Sequence, residues 1–428
     1  MSRAVRLVVL LALAGTPVLP AAAAQARSGP CLPDYPNGAQ CRVWHGTVRY
    51  VDDGDTLDAD VPGDGLGGLL RVRIIGAQAM EQTSYRAAQR SGDCHALDAT
   101  NRLEQLVRRS KRRIRVASLY PFSRSRGRRL RSVAVRVNGR WRDVARMLIT
   151  EGHALWWPGQ SEDAANIRYS ILSQRAAAAG RGLFNPSYCG AGPNEGHPIG
   201  VWAQWDADGN DHDDINGEWV KVRNYDPVNA LPLDGWYVRD SGLRRFTFPA
   251  GATVAPNSSV TVYVGQGGSF GAEYFWNLTK PVFENVTHDD RGIGDGAYLF
   301  DPQGDIRAWM MYPCRVGCTN PAQGQIALSA QPRRDEWVSV TNTGGSTLDL
   351  EPYQLKSSPY SYSFPQGATL GPGQTIRVHV EGDPSEDTAA DMYWGMTRQI
   401  LNNSGDKATL STYNDIQIAC TAYGDKSC

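Results

Sequence analysis

The chain has 428 residues with 44 basic and 44 acidic side chains, a length that exceeds one compact core and fits two to four domains. At 41% apolar and 21% charged residues, the composition excludes a disordered tail and a membrane-embedded chain. The 45 Gly and 25 Pro argue against a helical bundle and for turn-rich β structure.

Residues 1–24 read as a secretory signal peptide: Arg3 and Arg6, an apolar run from Leu7 to Ala14, then Ala21 to Ala24 before Gln25. No later segment approaches the roughly 18 apolar residues that a membrane span requires. Residues 25–42 form an N-terminal extension. From Gln25 to Gly190 there are 26 basic and 15 acidic residues, whereas 191–428 has 16 basic and 29 acidic. That reversal marks a domain boundary near 190, with Gly190 to Asn194 opening a linker over 191–198. The basic half calls for a polyanionic partner, nucleic acid first. In a secreted chain the eight cysteines imply disulfides, and four fall in each half, so pairing within halves is the economical arrangement. Cys94 with Cys189 would clip the end of the basic domain to its interior. Cys314-x3-Cys318 lacks the second ligand pair of a zinc site.

Trp44 to Val51 alternates as a strand and breaks at the acidic turn Asp52-Asp53-Gly54-Asp55-Thr56-Leu57. A glycine-rich hairpin tip at 63–68 precedes a strand over Leu69 to Ile75 that carries Arg71 and Arg73. Glu81 follows, then a helix from about His95 to Val107. Strands over Arg115 to Ser118 and Arg131 to Val137 precede helices over Asp143 to Glu151 and Asp163 to Ala179. Strands first and helices afterwards is the order of a small barrel with helical cover.

The ordered series Asp53-Gly54-Asp55-Thr56, Arg73-Ile74-Ile75-Gly76, Glu81, Gly127-Arg128-x-Leu130, Val144 to Ala154 and Gly182-Leu183-Phe184 resembles the staphylococcal nuclease (thermonuclease) family over residues 43–190. The resemblance implies an OB-fold barrel and Ca²⁺-assisted phosphodiester hydrolysis of DNA or RNA that leaves 3′-phosphorylated ends. By position it makes Glu81 the general base and Arg73 and Arg128 the guanidinium clamp on the phosphate. Asp55, Gln78 and the Ala79 carbonyl would be the metal ligands, all of them oxygens as a hard cation prefers. Two departures bear on that implication. Gln78 stands where the family has a second carboxylate, and Met80 where it has a proline, so weak calcium binding is expected. Ser125 and Arg126 replace a phosphate-gripping Lys and Tyr, and a downstream Tyr is missing near Pro158; Arg126 and Arg129 are the substitutes expected to bind substrate.

In the acidic half, Glu218-Trp219-Val220-Lys221-Val222-Arg223-Asn224 recurs 118 residues later as Glu336-Trp337-Val338-Ser339-Val340-Thr341-Asn342. Phe248-Pro249-x-Gly251 recurs as Phe364-Pro365-x-Gly367, and Gly294-Asp295-Gly296-Ala297 as Gly405-Asp406-Lys407-Ala408. A period of that length is a domain, giving tandem units over 199–320 and 321–428. Short strands between Pro/Gly turns point to β-sandwiches. The motif order, with Gly235-Trp236 in the first unit and Pro352-Tyr353 in the second, resembles the lamin tail domain, which implies an immunoglobulin-like sandwich for attachment. Trp219 and Trp337 are expected in the core. Asp206 to Asp214 reads as an acidic loop leading into a strand, because Asp211 and Gly217 stand where a calcium loop needs Gly and Glu. His212, His288 and His379 form no motif.

The fold class expected is mainly β: a nuclease barrel with helices, then two sandwiches. The expected function is a secreted, monomeric Ca²⁺-assisted nuclease. The acidic tails are poor nucleic-acid binders, so they should engage the cell envelope, a protein or the nuclease domain itself. The rivals are an impaired nucleic-acid-binding adhesin, crippled at Gln78, and a structural envelope protein.

Overall fold

A computed structural model describes residues 26–83, 90, 92–159, 162, 165–190, 192, 195–286 and 293–428. The signal peptide expected over 1–24, Gln25, Asp163, linker residues 191, 193 and 194, and His288 lie outside the described residues.

The basic half folds through strands β1 (Arg27–Pro30), β2 (Gln40–Val51), β3 (Thr56–Asp60), β4 (Leu70–Ile74) and β5 (Ala77–Gln78), then helix α1 (Ala96–Arg109). It continues through β6 (Arg113–Ser118), β7 (Arg124–Ser125), β8 (Arg128–Val137), β9 (Arg140–Asp143), α2 (Val144–Glu151), β10 (Leu155–Trp156) and α3 (Asn166–Ala178). Strand β2 pairs with β3 on one side and β6 on the other. That double pairing closes a five-stranded mixed barrel in the order β2-β3-β4-β8-β6, with only β4 and β8 parallel. Closure removes the exposed sheet edges. Val48, Leu57, Val72, Ile74, Ile114, Val116 and Val135 fill the barrel, and Leu103 of α1 and Leu148 of α2 plug it. Each such side chain contributes about 1.5–3 kcal/mol on burial. Asp143 caps α2 by accepting from the N–H groups of Ala145 and Arg146 at 3.1 and 3.3 Å. Gly152 ends the helix at φ 75°, where a Cβ would strike the Arg181 carbonyl.

The acidic half forms two sandwiches of the same strand plan. In the first, Ile199–Gln204, Trp219–Asn224, Ser259–Tyr263 and Glu273–Phe275 make one sheet; Arg245–Thr247, Tyr237–Arg239, Asp295–Phe300 and Ile306–Tyr312 make the other. The second repeats this from Ile326–Gln331 to Gln417–Tyr423. The repeated Glu and Asn that bracket each EWV strand are buried structural groups. Glu218 accepts from the Val282 and Phe283 N–H groups, and Glu336 accepts in the same way from Ile400 and Leu401. Trp219 is buried, whereas Trp337 is half-buried beneath the Arg377 guanidinium.

The cysteines pair within halves, as 31–41, 94–189, 314–318 and 420–428, so Cys314 and Cys318 are a disulfide. The acidic loop locks the two sandwiches together: Asp208 Oδ1 accepts from the Ser361 N–H at 2.9 Å and its hydroxyl at 3.0 Å. Trp205 Nε1 also donates to the Tyr413 carbonyl, and at the other end of the Trp219–Asn224 strand the Arg223–Glu351 pair closes to 2.7 Å. The first sandwich is also packed on the barrel. Met80, Leu155, Leu183 and Phe184 share a buried apolar cluster with Tyr237, Tyr298, Phe300 and Met311. Gln174 of α3 donates to the Pro313 carbonyl and accepts from the Arg315 and Val316 N–H groups.

Candidate active site

The sequence motifs meet at one rim of the barrel. The acidic turn between β2 and β3 places Asp55 beside the bend after β4, which Gly76 makes with φ 78°. Asp55 Oδ1 lies 3.2 Å from Arg73 Nη1 and accepts from the Thr56 hydroxyl at 3.0 Å, and Oδ2 accepts from the Ala79 N–H at 2.8 Å. Arg73 Nη1 also donates to the Ile74 and Ala77 carbonyls, each at 2.7 Å, and Nη2 donates to Gln78 Oε1 at 2.6 Å. Gln78 Nε2 in turn donates to the Ala79 carbonyl at 2.9 Å and to Glu81 Oε1 at 3.0 Å. From the other side, Arg128 Nη1 donates to the Thr56 hydroxyl at 2.8 Å. One hydrogen-bonded chain therefore runs Arg128–Thr56–Asp55–Arg73–Gln78–Glu81.

Electrostatics follow from burial. Arg73 is 2% exposed, and burial pulls its guanidinium below the ordinary arginine value against the opposing pull of Asp55. Burial, then the Asp55 charge, raises Glu81 above the ordinary glutamate value; Arg73 and Arg128 oppose the rise. The same two causes push Asp53 up to about 8, so it is the protonated member of the turn.

A cavity of about 220 Å³ opens beside this chain. Arg73, Gln78, Arg126, Arg128 and Trp157 line it from the barrel. Asp240, Arg244, Glu284 and Asp295 line it from the first sandwich. Glu81 is not in the lining and reaches the cavity through Gln78. Arg129 also lies elsewhere, its guanidinium 5.5 Å from the Phe122 ring, because successive residues of β8 face opposite sides. Of the two arginines expected to bind substrate, Arg126 lines the cavity and Arg129 does not. Arg73 lines the cavity while its terminal nitrogens donate to the Ile74 and Ala77 carbonyls and to Gln78. Trp157, 4.9 Å from Arg73, was missed, although it adjoins the expected gap at Pro158. The four sandwich residues carried no sequence signal.

The oxygens expected to hold calcium do not fit the ion. Calcium takes six to eight oxygen ligands at about 2.3–2.6 Å. Here Asp55 is the one carboxylate among the three expected ligands and is paired with Arg73, Gln78 Oε1 faces the same guanidinium, and the Gln78 amide N–H faces the Ala79 carbonyl. The Gln78 orientation is fixed chemically, since its oxygen meets a guanidinium and its nitrogen meets a carbonyl and a carboxylate.

The family model described as Lamin Tail Domain matches residues 203–313 and 320–425, which together make just over half of the chain. Those residues lie outside the barrel and divide at the boundary between the two sandwiches. A comparison with curated proteins finds no match. The repeated Glu and Asn and the paired sandwiches agree with the family match, and the chain belongs to the lamin tail domain family, of which it carries two consecutive copies.

Proposed function

We propose that the barrel hydrolyses phosphodiester bonds of DNA or RNA, with Glu81 as general base and Arg128 as the direct contact to the scissile phosphate. The reading rests on the hydrogen-bonded chain from Arg128 to Glu81 along the cavity rim. A carboxylate with a raised pKa suits proton abstraction from water, and a guanidinium facing a cavity suits charge that builds on phosphoryl oxygens. Arg126 extends the basic wall, and among the described residues neither Arg126 nor Arg128 forms an ion pair. Arg73 supplies positive charge from the cavity wall while it holds Gln78. The closed five-stranded barrel with helical cover supports the OB-fold reading, a fold that commonly binds oligonucleotides. The tail copies are immunoglobulin-like sandwiches that attach or retain the enzyme. The four disulfides suit a secreted protein.

Cleavage of a single-stranded DNA and a single-stranded RNA oligonucleotide by the full chain tests the proposal. Glu81→Gln is expected to lower the rate by about 10²–10⁴-fold, and Arg128→Ala by about 10²–10³-fold. Cleavage by Glu81→Gln at the wild-type rate would remove Glu81 as the base. The inward commitment of Arg73 favours a second reading, a nucleic-acid-binding module without catalysis, which salt-sensitive binding with no cleavage would establish.

A further inference from the structure

We propose that the Gln78 side chain takes the place of a divalent cation, so that the site works without one. A cation at this rim would have two jobs: to draw the Asp55 carboxylate, the Ala79 carbonyl and the residue-78 side chain together, and to bring positive charge near Glu81. The protein does the first with hydrogen bonds. Gln78 Nε2 donates to the Ala79 carbonyl at 2.9 Å, and the Ala79 N–H donates to Asp55 at 2.8 Å. It does the second with Arg73, whose Nη2 reaches Gln78 Oε1 at 2.6 Å while Gln78 Nε2 reaches Glu81 at 3.0 Å. A neutral amide makes this link because it accepts from a guanidinium at one end and donates to a carboxylate and a carbonyl at the other. An aspartate could accept from Arg73 but offers no N–H to Glu81 or to the Ala79 carbonyl. With Asp55 it would leave two carboxylates with lone pairs to spare, which is a cation's ligand set. Gln78 is thus a positioning residue for Glu81, and the charge it lacks is charge that a cation would otherwise neutralise. The packing around it agrees: Gln78 is 3% exposed and its neighbours Ala79 and Met80 are each 1% exposed, so the loop is held without an ion.

The cleavage arm of the test rests on the phosphodiesterase reading; the binding arm does not. Calorimetric titration of the full chain with calcium at up to about 10 mM, above the weakest extracellular sites, is compared between wild type, Asp55→Asn and Gln78→Asp. The expected result is no calcium heat in wild type that Asp55→Asn removes, and a new heat in Gln78→Asp. Any heat untouched by Asp55→Asn belongs to another place in the chain, and the proposal stands. A wild-type heat abolished by Asp55→Asn overturns it. In the oligonucleotide assay, wild-type cleavage should change less than about twofold between chelator and calcium, while Gln78→Asp falls at least about tenfold in chelator and recovers with calcium. A wild-type rate restored only by calcium also overturns it. If no protein cleaves under either condition, the phosphodiesterase reading fails and the calorimetry alone decides the role of Gln78.

Discussion

At the scale of single residues, burial decides which carboxylates hold protons. Glu81 must lose its proton to act as a base, so the rate of cleavage should rise with pH through a midpoint above the ordinary glutamate value of 4.5. A pH–rate profile with its acid limb at or below that value would contradict the burial argument. Glu218 offers a stability test of the same physics. It is fully buried, with Oε2 accepting two N–H groups and Oε1 without a partner, and burial pushes it up to about 8. Between 4.5 and about 8 the folded chain therefore binds a proton that the unfolded chain has released, and stability falls as pH rises across that window. Glu218→Gln should flatten the slope between pH 5 and 9 by roughly 2–5 kcal/mol, read by urea denaturation at both values. Asp53, raised in the same direction, will leave a residual slope.

Elements in the barrel are joined through a few polar anchors. Asp143 accepts from the first turn of α2 and from the Tyr169 hydroxyl of α3, so one carboxylate fixes both helices over the barrel mouth. Asp143→Ala should cost about 2–4 kcal/mol, a lost cap plus an orphaned buried hydroxyl, measured by chemical denaturation followed by tryptophan fluorescence. The tail strands use the same device. Asn224 donates to the Asn229, Val254 and Ala255 carbonyls, and Asn342 donates to the Ser346 and Leu370 carbonyls. These contacts explain why the repeat keeps Glu and Asn at the strand ends while Lys221 and Arg223 between them become Ser339 and Thr341.

For the molecule as a whole, the first tail domain is part of the barrel's surroundings. Met80, in the position where a loop-stiffening proline was expected, is buried against it, with Arg239 Nη1 3.5 Å from its sulfur. The disulfide at Cys189 is held there too, its N–H donating to Asp305 at 3.0 Å. Met80→Lys would bury an unpaired ammonium beside Arg239, at a cost of about 3–5 kcal/mol. Two outcomes are expected: a separate unfolding transition for the barrel and a larger radius of gyration in small-angle scattering. A single unchanged transition would mean that the interface contributes nothing to cooperativity.

Much of this was legible in the sequence because it is local. Strand alternation placed the barrel strands, the resemblance of an ordered motif series to a nuclease family singled out Arg73, Gln78, Glu81 and Arg128, and a repeat of domain length revealed two tail copies. Sequence position did not separate Arg128, which lines the cavity, from Arg129, which does not, because the side of β8 that faces a cavity is set by the pairing of that strand. Trp157 and the Asp240–Arg244 wall were invisible, since they meet the barrel residues only through contacts between segments far apart in the chain. The sequence alone determined which side chains carry charge and at what intervals. Only the tertiary structure decided where those charges point, because the direction of a side chain depends on strand pairing, and its proton on how deeply its neighbours bury it.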